Sequence, residues 1–204
     1  MLSGELEDTA PEHSEMLNNI EQSSAQLNRM IDEVMKYSII ESGGLTLAMK
    51  NVNLQTIIDN IAKLYRPAAK IKQIDLHFYT ENLEREILLD GEKFEQVIGN
   101  LLSNAIKDTK SGGWVKLSLV LKMIKNRDTL ELIVSDSGVG MSKKKQNRLL
   151  DGDRLHTSSS GTDGEKSTGI GLSIIKYIIL LFSGEISISS KPGEGTTFRV
   201  YIPV

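Results

Sequence analysis

The stretch from Asp90 to Asp108, DGEKFEQVIGNLLSNAIKD, constrains this chain more than any other. At 100° per residue, Phe94, Val97, Ile98, Leu101, Leu102, Ala105 and Ile106 take up most of the circumference of one helix. Asp90 stands where a side-chain oxygen can cap the first turn, and no proline interrupts residues 91–108. The remaining stripe is polar: Gln96, Asn100, Asn104 and Lys107, spaced i, i+4, i+8 and i+11. An amphipathic helix showing water its polar side is the ordinary account of such a stripe. Solvated faces, however, favour Glu, Lys, Gln or Arg, because Asn competes for its own backbone and weakens a helix. Two Asn one turn apart point to side chains kept for what their carbonyl oxygens can hold. Lys93 is expected on an exposed part of the same helix.

Around this helix the chain alternates short elements. Residues 45–50 (LTLAMK) read as a strand, followed by a helix that opens near Asn53 and is expected to end or kink at Pro67. IDLHFYT and EILL come next as strands. VKLSLVLKMI and TLELIVSD make a hairpin turning over residues 125–128. Residues 151–167 are mostly Gly, Ser, Thr and Asp without apolar period and read as a mobile loop. A helix over 168–182 and the strands EISISS and TTFRVYIP close the chain. Elements interleaved in this way predict an α/β fold: a two-layer α/β sandwich, a mixed sheet covered by helices on one face.

Ahead of it, Leu17, Ile20, Ser24, Leu27, Ile31, Val34 and Ser38 alternate steps of three and four, a heptad seam. The seam starts after Pro11 and ends at Gly43-Gly44. A helix of about 30 residues is about 45 Å long, which suits a coiled coil or bundle; a helix lying across its own domain is the alternative. The expected division is residues 1–44 and 45–204.

Bulk properties exclude several classes. A net charge of −3 gives no support for a nucleic-acid surface. With no cysteine, disulfides, zinc thiolates and thiol catalysis are out. His13, His77 and His156 are isolated from one another, against a histidine metal cluster. The acidic N-terminus is no secretory signal. The most apolar run, residues 170–182, is shorter than the ~20 residues a membrane span needs and contains Lys176.

Three further motifs carry chemistry. In VSDSGVGM, Asp136 ends an apolar strand and precedes Gly138 and Gly140. Its carboxylate can accept a hydrogen bond from an exocyclic amine, and the glycines let backbone approach a flat ring or a phosphate. In KSTGIGLSII, Thr168, Gly169 and Gly171 sit where a loop becomes a helix, whose free N–H groups suit an anionic phosphate. KPGEGTTF puts Thr196 on the same strand face as Phe198 and Val200. Singly these have bland readings, as a strand-end turn, a glycine used for close packing and a glycine-rich hairpin turn.

In order, N-L-L-S-N-A-I-K, D-S-G-V-G, T-G-I-G-L and G-E-G-T-T-F resemble the ATP-binding catalytic domain of sensor histidine kinases, in the superfamily of gyrase, MutL-type and chaperone ATPases. EQSSAQLNRMIDEVMKYSIIESGGL is similar to the second helix of that family's dimerisation and histidine-phosphotransfer hairpin. The resemblance implies ATP and Mg²⁺ as ligands, with Asn104 the principal Mg²⁺ ligand and Asn100 beside it, orienting metal-bound water or the transferring phosphate. It implies that Lys107 neutralises phosphate charge, that Asp136 reads the adenine amine with Thr196 assisting through water, and that Gly138 and Gly140 admit the nucleotide. Residues 151–167 become a lid, with Lys166, Thr168, Gly169 and Gly171 near the phosphates. Such chemistry needs positioning and charge neutralisation more than covalent catalysis.

The pattern also departs from that family. The phospho-accepting histidine is expected outside this chain: His13 is followed by Ser14 and lacks the downstream proline. Asp108 stands where an aromatic ring usually packs on adenine, Ser167 where the lid motif usually begins with Gly, and Leu149 and Leu150 replace a Phe-rich patch. These changes imply weaker ATP binding. The resemblance further implies transfer of the γ-phosphate to a histidine, relay to an aspartate on a response-regulator receiver domain, and a homodimer formed through the N-terminal helix. It implies a cytoplasmic location, with membrane anchoring of a parent protein left open and no membrane contact by this segment. A degenerate kinase acting as a dimerising, weakly nucleotide-binding module is the alternative.

Overall fold

The computed structural model describes residues 45–151 and 170–204. The expected N-terminal helix with its heptad seam, and most of the expected lid, lie outside them. In chain order the elements are β1 (Lys50–Asn53), α1 (Leu54–Ile71), β2 (Asp75–Glu81), β3 (Glu86–Leu89), α2 (Gly91–Asp108), β4 (Trp114–Ile124) and β5 (Arg127–Asp136). α3 (Lys143–Asp151), α4 (Ile170–Leu181), β6 (Glu185–Lys191) and β7 (Gly195–Pro203) complete the order.

Five strands form a mixed sheet in the order β2-β4-β5-β7-β6, with β2 parallel to β4 and every other pair antiparallel. Side chains alternate across it with period two. Register lines up the inward residues in ranks: Leu117, Val134 and Phe198; Leu119, Leu132 and Val200; Leu121, Leu130 and Ile202. All nine are buried. Against this face lie Leu54, Ile57, Ile58 and Ile61 of α1, the apolar arc of α2, and Leu172, Ile174, Ile175, Ile178 and Ile179 of α4. The opposite face carries polar and charged side chains, among them Lys122, whose ammonium donates to Glu131 at 2.6 Å. This is the expected two-layer α/β sandwich. Among the described residues no helix is long and apolar enough to cross a membrane.

Three local expectations are corrected. Residues 45–49 are not in a strand; pairing begins with Lys50 opposite Leu89, as β1 joins β3 in a separate antiparallel pair. The N–H of Ala48 is instead held by Asp90 Oδ2 at 2.8 Å. Pro67 does not end α1, which continues to Ile71. The ring removes one N–H near the end of the helix, while Ala68 and Ala69 are good helix formers. Their carbonyls then take the N–H groups of Lys72 and Ile74 at 3.2 and 2.8 Å. The β4–β5 turn is shorter than expected, because Arg127 and Asp128 belong to β5. Lys125 and Asn126 alone make it, with φ of 49° and 64°, the left-handed pair that a two-residue hairpin requires.

Candidate nucleotide site

One inward rank of the sheet carries polar side chains beside a single valine. Val115, Asp136 and Thr196 stand opposite one another, and Ser190 of β6 faces Thr196. This rank lies where β5 ends and β7 begins. Asp136 is buried, at 5% exposure. Its Oδ1 accepts the N–H of Gly138 at 2.8 Å and that of Thr196 at 3.2 Å. Both of these hydrogen bonds fall on Oδ1, and among the described residues none falls on Oδ2. Burial pushes the carboxyl up to about 6, against the two backbone hydrogen bonds that lower it, and the nearby charge of Asp108 adds to the rise. The backbone thus holds one carboxylate oxygen, Oδ1, and leaves the other, Oδ2, outside that pair of bonds.

The loop after Asp136 is tied down on all sides. Ser137 N–H donates to Trp114 O at 3.1 Å and Val139 N–H to Asp108 O at 3.1 Å, while Val139 O accepts from Gly193 N–H at 2.8 Å. Gly138 and Gly140 serve this packing first. A Cβ on Gly138 would lie 2.4 Å from Asp108 O, and one on Gly140, where φ is +65°, would lie 1.9 Å from Lys191 O. The close approach at Gly138 brings the C-terminus of α2 beside Asp136, and that at Gly140 brings in the end of β6.

α2 forms as its sequence pattern requires. Asp90 Oδ1 accepts from Lys93 N–H at 3.0 Å, and Phe94, Val97, Ile98, Leu101 and Leu102 are fully buried. Gln96, Asn100, Asn104 and Lys107 are half-buried, and so is Lys93, contrary to expectation. Asn100 Nδ2 donates to Gln96 O at 2.9 Å. With its nitrogen spent inside the helix, Asn100 turns Oδ1 toward α4, where a Cβ on Gly171 would lie 3.2 Å from it. The carbonyl of Lys107 accepts from the Lys72 ammonium at 2.9 Å.

The structure thus brings Asp136, Gly138, Gly140 and Thr196 together, joins them to the end of α2, and sets Asn100 against Gly171. Lys166, Thr168 and Gly169 lie outside the described residues. Sequence reasoning missed a polar scaffold beneath this site. Gln146 of α3 is buried and donates through Nε2 to Met141 O at 3.0 Å and Ser190 O at 2.6 Å. Ser190 Oγ bonds to Met141 N–H, Gly195 O and Thr196 Oγ1. Only the i, i+2 alternation of β6 could have flagged Ser190 as inward-facing.

Residues 89–204 match the family described as histidine kinase-, DNA gyrase B- and HSP90-like ATPase. The sensor protein EvgS of Escherichia coli (strain K12) is 33% identical over 177 residues, which covers 86% of this chain. The chain spans only 14% of the length of that curated relative. Full-length ShkA in complex with AMPPNP shares the fold, with a TM-score of 0.77 and 22% identity, covering 94% of this chain and 39% of that one. Histidine kinase ThkA in complex with the response regulator protein TrrA also shares it, with a TM-score of 0.69 and 22% identity, covering 98% and 53% of the two chains.

Proposed function

The chain belongs to the histidine kinase-, DNA gyrase B- and HSP90-like ATPase family, and from that premise we propose that it is the ATP-binding catalytic portion of a sensor histidine kinase. The observation that carries the reading is Asp136: a buried carboxylate with one oxygen held by two backbone N–H groups and the other left to accept an adenine amine. Thr196, in the same rank, assists at the base. Asn104 and Asn100 offer amide oxygens, and the bonding of Asn100 Nδ2 to Gln96 supports that orientation. Hard oxygen donors fit Mg²⁺, which keeps most of its ligands from water and phosphate. When bound, Mg²⁺ would neutralise phosphate charge; Lys107, Lys166 and the N–H groups around Thr168, Gly169 and Gly171 would do the same from the protein side.

The bound γ-phosphate would be positioned for transfer to a histidine outside this chain, then to an aspartate of a response-regulator receiver domain. The reading includes a homodimer through the N-terminal helix and a cytoplasmic setting, where Mg·ATP is supplied. ThkA, solved with a response regulator, supports the partner class. Titration calorimetry of the full chain with Mg·ATP tests the proposal: binding below millimolar is expected, and no heat at millimolar ATP contradicts it. The second reading, a degenerate module holding nucleotide weakly, draws on Asp108, whose charge adds to that of Asp136 beside the base site. A dissociation constant in the millimolar range would favour it.

A further inference from the structure

Ser190 has one proton and two lone pairs, and its neighbours account for all three. Met141 N–H can only donate, so it takes one lone pair of Ser190 Oγ at 2.7 Å. Gly195 O can only accept, so it receives the Ser190 proton at 2.8 Å. The remaining contact, Ser190 Oγ to Thr196 Oγ1 at 3.0 Å, therefore has Thr196 as the donor. Ser190 would otherwise set two oxygens lone pair to lone pair. Thr196 Oγ1, its proton committed away from Asp136, presents only lone pairs beside a carboxylate that likewise only accepts when ionised. Gln146 holds the other side of this arrangement, donating to Ser190 O and Met141 O.

We propose that Ser190 is a specificity-positioning residue: it fixes the polarity of the Thr196 hydroxyl, so that the base site accepts hydrogen bonds and rejects purines bearing a keto oxygen in place of the amine. This rests on the nucleotide-binding reading above. It adds a determinant that touches no ligand and acts through the direction of one O–H bond.

The test is calorimetry of the full chain with Mg²⁺ complexes of ATP and inosine triphosphate, which differ at position 6, amine against keto, and at N1, acceptor against N–H donor. Wild type is expected to prefer ATP. In Ser190→Ala the Thr196 proton is released to turn toward a keto oxygen, and the preference should fall about three- to tenfold. Ser190→Thr keeps the hydroxyl and should keep the preference. In a Thr196→Val background, Ser190→Ala should leave the ratio unchanged, which a general loosening of the site would not do. An unaltered preference in Ser190→Ala, with both nucleotides weakened alike, overturns the proposal and leaves the nucleotide site standing. Failure of wild type to bind either nucleotide overturns the functional reading itself, and this proposal with it.

Discussion

Replacing Asp136 with Asn should stabilise the protein while disabling its site. Burial pushes the carboxyl up to about 6, equivalent to ~3 kcal/mol between its two protonation states. Because the folded value lies above the unfolded one, the stability linked to this group is complete below about pH 4. It is lost as pH rises through about 6, so at neutral pH the ionised carboxylate weakens the fold by up to ~3 kcal/mol. Asn keeps a carbonyl oxygen for Gly138 N–H and Thr196 N–H and carries no charge to desolvate. Urea unfolding of both proteins between pH 4 and 8 measures the difference. The variant should be more stable at pH 7.5 by ~1–3 kcal/mol, with the gap closing as pH falls through 6. Its amide nitrogen can no longer accept an amine, so Mg·ATP affinity should drop at least about tenfold. A variant that is less stable at pH 7.5, or a gap independent of pH, would show that the buried charge of Asp136 does not weaken the fold.

Other perturbations separate packing from ligand binding. Gly195→Ala meets both a φ of +92° and a Cβ 1.9 Å from Asp136 O, and should destabilise by about 2–4 kcal/mol in urea unfolding. Gly112→Ala, at φ +80° with open space around it, should lose only ~1 kcal/mol; equal losses contradict the close-approach account. Asn104→Asp should change Mg²⁺-dependent ATP binding about tenfold, whereas Glu92→Gln, exposed on the same helix, should leave it alone. If the two behave alike in calorimetry, the asparagine stripe is a solvated face. Asp108→Tyr removes the charge that helps raise Asp136 and restores a ring, so ATP should bind several-fold tighter, by ~1 kcal/mol. Unchanged or weaker binding rules that role out.

The elements readable in the sequence were those whose own residues dictate them. α2 carries its apolar period and its Asp90 cap within nineteen consecutive residues, 90–108, and the alternation of β4, β5 and β7 declares the inward face. Asp136, Gly138 and Thr196 could be named from motifs because each sits at a strand end or turn. The features that escaped depend on partners distant in sequence. α3 is rich in lysine and shows no apolar stripe, since its anchor is the polar side chain of Gln146, bonded to Ser190 forty-four positions away. The strand expected over 45–50 gives way to a hydrogen bond between Ala48 and Asp90. Gly138 and Gly140, named from sequence for a ligand's approach, also make room for the carbonyls of Asp108 and Lys191, which lie where a Cβ would stand. Ser190, invisible as a motif, takes its meaning from three hydrogen bonds across two strands and a loop.

Nucleotide is expected to bind at the polar rank where β5 ends and β7 begins. Amide NMR of the labelled protein, titrated with Mg·ATP, tests it most directly. Gly138 and Thr196, whose N–H groups are bonded to Asp136, should shift strongly, together with amides near Asn100, Asn104 and Asp108. Residues on the opposite face of the same strands, such as Ile133 and Arg199, should stay in place. Shifts concentrated at Ile133 and Arg199, with Gly138 and Thr196 unmoved, would contradict the account.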